Sequence, residues 1–90
     1  MPHPKTVEGF DGTLDDLARE IENMDYASVK DLIRKLAECF IVRADADKDN
    51  GKPKLATELY SVAGELKQAS FYAGRAAEIC KKYNEKEQGK

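Results

Sequence analysis

Between Leu55 and Tyr83, apolar or small residues fall at Leu55, Leu59, Val62, Leu66, Ala69, Ala73, Ala76, Cys80 and Tyr83, with spacings that alternate four and three. Such a rhythm sustained over successive heptads marks a helix with one packed face, and this stripe is expected to face the core. Shorter versions of the pattern precede it. Leu14, Leu17, Ile21 and Met24 predict a helix over about 13–23. Thr13-Leu-Asp-Asp16 opens it with the form of a capping box, and Asp15 and Asp16 stand where the helix dipole favours negative charge. After a turn at Asn23–Tyr26, Ser28-Val-Lys-Asp31 repeats the capping form. It predicts a second helix that starts near 26–28 and runs to about Ala46. Val29, Leu32, Ile33, Leu36, Phe40 and Ile41 are its apolar side, with Lys30, Arg34, Lys35 and Glu38 turned outward. Residues 45–52 read as a polar loop, and Pro53 suits the first turn of the helix that follows.

Two continuations are open beyond Pro53. The unbroken stripe supports one helix of some thirty residues. Ala63-Gly64-Glu65-Leu66 instead resembles an inter-helix turn, giving helices at about 54–63 and 66–85. Glycine inside a helix costs only about 1 kcal/mol relative to alanine, so Gly64 does not decide between them. Length matching favours the break, because a thirty-residue helix leaves one end uncovered unless the protein dimerises. A short internal similarity at an offset of forty residues points the same way: Lys35, Ala37 and Glu38 align with Arg75, Ala77 and Glu78. The expected fold is therefore all-α, a small antiparallel bundle of four helices. Three helices with a long C-terminal one are the alternative. Residues 13–86 form the domain, flanked by tails at 1–12 and 87–90.

Composition narrows the function classes. The 90 residues are 36% charged and 8% aromatic, with no Trp and a net charge of −2. That is the make-up of a well-solvated helical bundle, without the basic excess of a non-specific nucleic-acid binder. Arg34, Lys35, Arg43, Lys48, Lys52 and Lys54 are interleaved with Glu38, Asp45, Asp47 and Asp49, which leaves that edge near neutral. No stretch reaches the roughly eighteen apolar residues of a membrane span, and the N-terminal residues lack the apolar core of a signal peptide. A cytoplasmic protein with no membrane partner is the expectation, and a nucleic-acid partner is not favoured. Cys39 and Cys80 lie on apolar helical positions and are expected to be buried free thiols.

Chemistry-bearing constellations are sparse. Asp45, Asp47, Asp49 and Gly51 have the flavour of a calcium loop, but no register places Gly at six and Glu at twelve together. His3 stands alone in the tail, so neither a zinc site nor a Ser-His-Asp arrangement is expected. Asp15–Asp16 and Glu20–Glu22 have no apolar pocket to raise a pKa. Gly64 and Gly74 do not make a phosphate-binding loop. No enzymatic activity, metal or cofactor is expected.

Tyr60, Gly64, Glu65, Ala69 and Ala76 together resemble the middle of a tetratricopeptide repeat, where small residues let antiparallel helices approach closely. Tyr26 through Phe40, with Tyr72-Ala-Gly-Arg-Ala-Ala-Glu-Ile-Cys-Lys81, is similar to the second and last helices of the microtubule-interacting-and-trafficking domain. Each resemblance covers about half the chain, and each implies a module that binds peptides or helices in a groove. Phe71 is the residue the stripe leaves unexplained. It points away from the stripe, beside Gly64, Lys67, Gln68, Arg75 and Glu78, with Tyr60 and Tyr72 flanking. Either it packs on the first helix or on Phe10, or it marks a partner surface. Tyr60, Phe71, Tyr72 and Arg75 are accordingly the candidate partner-binding residues. The expected function is a small adaptor or subunit that binds another protein in a helix groove. A self-assembling helical dimer and a nucleic-acid-binding accessory protein are the alternatives.

Overall fold

The computed structural model describes residues 3–88, with side chains described as far as Asn84. The tail readings for Met1, Pro2, Gly89 and Lys90 lie outside the described residues. Three helices follow one another: α1 (Leu14–Glu22), α2 (Tyr26–Asp49) and α3 (Pro53–Gln88). The expected break at Gly64 is absent, and α3 passes through Val62–Lys67 as one helix. A Cβ built on Gly64 meets nothing within 4 Å, so this glycine marks neither a turn nor a close contact.

The local signals act largely where the sequence places them. At Thr13, the hydroxyl accepts from the Asp16 N–H at 3.1 Å and the Asp16 carboxylate accepts from the Thr13 N–H at 3.0 Å. The Thr13 N–H bond, with the Thr13 hydroxyl and the Arg19 guanidinium beside it, holds the Asp16 carboxyl below its ordinary range. The second cap is Asp25 rather than Ser28, because the Asp25 side chain accepts both the Ser28 N–H (2.8 Å) and its hydroxyl. Asp31 is left to pair with Arg34 at 3.6 Å on the outer surface. The expected loop at 45–52 is mostly helix. α2 continues to Asp49 because Ala44 and Asp47 are still packed positions. Only Asn50, Gly51 and Lys52 separate the helices. There the Gly51 N–H donates to Lys48 O (3.2 Å) and the Lys52 N–H to Asp47 O (2.8 Å), with Gly51 at φ +79°. That pair of bonds is a Schellman closure, and it needs a residue at ease in the left-handed region.

α2 and α3 form an antiparallel hairpin, and their contact is the only extensive one between helices among the described residues. Its seam is built from small side chains. Ala37 and Ala44 of α2 and Ala56 and Ala63 of α3 are 0–2% exposed, and Ser70 is 5% exposed. On α3 the buried positions recur every seven residues, with Leu59, Leu66, Ala73 and Cys80 half-buried beside them. The packed line therefore runs one residue beyond the expected stripe, and Leu55, Val62, Ala69 and Tyr83 are exposed. Alanine on both sides lets the two backbones approach closely. The Ser70 hydroxyl then donates across the seam to the backbone oxygen of Lys30 at 3.1 Å. Lys30 does not turn outward as expected. Its stem lies over Gly74, where an added Cβ would stand 3.1 Å from Lys30 Cδ.

The result is one layer of helices, 60 × 28 × 14 Å. α1 buries no residue and makes no extensive contact with the hairpin. The Phe10 ring folds over Gly12 and Asp16 at the start of α1. α2 is too short to flank the last turns of α3, where the Glu22–Ala27 junction instead borders Ala77, Cys80 and Asn84.

Two substitutions probe this packing. Gly64→Ala is expected to stabilise the protein by roughly 0.5–1 kcal/mol in urea unfolding, whereas a turn at Gly64 would make it destabilising. Ala63→Leu is expected to cost about 1–3 kcal/mol by overfilling the seam, and a neutral result would show that the helices are not held by close approach there.

Candidate functional site

Each long helix carries more apolar residues than one seam can use. On α2, Ile33, Ala37, Phe40 and Ala44 turn toward α3, while Leu32, Leu36 and Cys39 stand about a third of a turn away. On α3, the seam of Ala56, Ala63 and Ser70 is flanked by Leu55, Val62 and Ala69. In an antiparallel pair these flanks fall on the same side, so they merge into one apolar face of the hairpin. A groove along the turn end of this face fits that geometry, being lined by Leu36, Cys39 and Phe40 from one helix and Leu55 and Leu59 from the other, with His3 of the N-terminal segment at its border. Arg43, Asp47 and Lys52 close it with charge.

Exposure along this face is high for its chemistry. Leu36 is 44% exposed and Leu55 47%, and among the described residues no large side chain is fully buried. Cys39 is exposed rather than buried, because it sits on this open face, and Cys80 is half-buried. Both thiols are free.

The four sequence-predicted residues divide into two places. Phe71, Tyr72 and Arg75 come together on the outer side of α3. The two rings meet edge to face with centroids 5.7 Å apart, and the Arg75 guanidinium lies 5.9 Å from each. Such exposed cation–π contacts are worth about 0.5–1 kcal/mol. Phe71 and Tyr72 are 59% and 55% exposed, so Phe71 packs neither on α1 nor on Phe10. Tyr72 lies three residues after Ala69 and four before Ala76. That spacing sets it on the rim of the apolar face.

Tyr60 is elsewhere. It is half-buried on the opposite side of the seam, and its hydroxyl donates to the Asp45 carboxylate. That bond, with some burial and the charges of Asp45 and Asp49, raises the Tyr60 pKa above its ordinary value of 10.0. Among the described residues no group of three or more His, Cys, Asp or Glu converges in a way that could hold a metal ion. Asp45 is engaged by Tyr60, while Asp47 turns toward the seam and is 9% exposed. Among the described residues no helix is long and apolar enough to cross a membrane.

The sequence did carry a signal for the face that was missed. Ala56, Ala63, Ser70 and Ala77 form a second heptad line directly beside the Leu55 line. Two adjacent lines on one helix mean two packed surfaces, of which the hairpin occupies one. Comparison with protein-family models, with curated proteins and with solved structures gave no match.

The Tyr60–Asp45 bond is open to a pH test. A raised folded-state pKa means that the bond's contribution is complete below the unfolded tyrosine value and is lost as pH rises through the higher folded value. The Tyr60 ring carbon followed by NMR should titrate above pH 10, and Asp45→Asn should return its midpoint toward 10. An unchanged midpoint in that variant would remove Asp45 as the cause.

Proposed function

We propose that this chain is a non-enzymatic helical interaction protein that docks another helical surface on the open α2–α3 face. One observation carries this reading: the hairpin is a single layer that leaves Leu32, Leu36, Leu55 and Val62 38–47% exposed on or beside one face. Helices bury an apolar stripe against a second layer to form a stable domain, and here the second layer must come from outside the hairpin. A helix or helix pair fits best, because the face is long, straight and repeats every seven residues, offering knobs and holes to a partner with the same period. Leu36, Phe40, Leu55 and Leu59 would anchor it. Arg43 and Lys52 border the turn end, and Tyr72 borders the α3 edge. Tyr and Arg at the rim of an apolar centre are the residue types that interfaces favour. No covalent chemistry is involved.

Photocrosslinking tests the face directly. With p-benzoylphenylalanine placed at Leu36 or Val62 in the expressed full chain, adducts with a polypeptide are expected. Val42, which is 69% exposed on the outer side of α2, should give none. Equal yields from all three positions, or none from the face, would overturn the reading.

A further inference from the structure

We infer that the surface covering the α2–α3 face is a second copy of this chain, laid antiparallel about a twofold axis beside Leu66; this rests on the face being a docking surface at all. Size is the first support. The chain exposes 7642 Å², where a compact monomer of its mass exposes about 5,300 Å². Its radius of gyration is 16.8 Å, against about 12 Å for a compact chain of this length. The excess surface, about 2,300 Å², lies within the roughly 1,000–2,500 Å² that each partner of an obligate homodimer buries.

The second support is the order of side-chain sizes along α3. On the turn side of Leu66 the face carries Leu55, Leu59 and Val62, and on the other side it carries Ala69, Ala73 and Ala76. A twofold interface is self-complementary, so each position must fit its symmetry-related one. With Leu66 on the axis, Leu55 lies over Ala76 of the second copy, Leu59 over Ala73 and Val62 over Ala69. On α3, each large residue away from the axis meets a small one, which keeps the packed volume even along that helix. On α2, which Ser70 fixes level with α3 through its bond to the Lys30 oxygen, the same axis brings Leu32 against Leu36. Sliding the copies by one heptad toward the turns would set Val62 on Val62 and Leu59 on Leu66 and leave Ala73 and Ala76 beyond the interface, and the opposite slide would centre it on Ala69. The product is a four-helix bundle made from two hairpins.

Sedimentation equilibrium on the full chain at micromolar concentration should give the mass of two chains. In a Cys39→Ser, Cys80→Ser background, Leu66→Cys should form a disulfide-linked dimer on mild oxidation, because residues beside the axis meet their own copies. Gln68→Cys, pointing outward, should not. Should Leu66→Cys lose its helical circular dichroism, the Val62→Cys, Ala69→Cys double variant reads the same register. A one-chain mass at all concentrations overturns the second-copy inference. If Val62 then crosslinks to a different polypeptide, the docking face survives and only its occupant changes. If Val62 crosslinks to nothing, the face itself falls. A two-chain mass without either disulfide overturns the antiparallel register.

Discussion

The close approach of α2 and α3 over alanine is the constraint on which the rest of the structure depends. Ala37, Ala44, Ala56 and Ala63 leave no room for bulk between the helices, and the Ser70 bond to the Lys30 oxygen becomes reachable only because the backbones are near. Such a seam gives good van der Waals contact but removes little apolar surface from water, since alanine has little to bury. The hydrophobic stabilisation of this chain must therefore come mainly from the larger residues beside the seam. Ile33, Phe40, Leu59 and Leu66 are half-buried in the hairpin, and Leu36, Leu55 and Val62 keep 39–47% of their surface exposed.

This division of labour separates shape from stability. The seam sets the spacing and level of the two helices, and it does so with residues that tolerate few substitutions. The face holds most of the apolar area, and its side chains can be satisfied only by a second layer. α1 does not supply that layer. It carries its own apolar line of Leu14, Leu17 and Ile21, held at one end by the Thr13–Asp16 box and the Phe10 ring, and it contributes no buried residue.

Helix content and caps were legible because they are local. Thr13 with Asp16 and Pro53 at a first turn act within a few residues of themselves, and the structure uses them as read. The four-helix expectation failed at Gly64 because glycine lowers helix propensity by an amount that tertiary packing on both sides readily exceeds. The direction of the α3 stripe was off by one residue for a related reason. Hydrophobicity ranks Leu55 and Val62 above Ala56 and Ala63, yet closeness between helices is set by the smallest residues rather than the most apolar ones. Phe71, Tyr72 and Arg75 were legible as a cluster because residues at these spacings share one side of a helix. Tyr60 was misplaced among them, since its engagement by Asp45 depends on the register of two helices, which no single-helix pattern contains.

The three-residue turn at Asn50, Gly51 and Lys52 takes on a further role in a seam of this kind. Alanines repeated every seven residues present nearly the same surface after a slide of two turns, so the seam alone discriminates poorly between neighbouring alignments of α2 and α3. The Lys52 N–H bond to Asp47 O and the left-handed Gly51 leave no slack for such a slide. Alignment in this hairpin is thus imposed from its end, as a clasp fixes two identical toothed strips, and a longer connection would turn one structure into a ladder of near-equivalent ones.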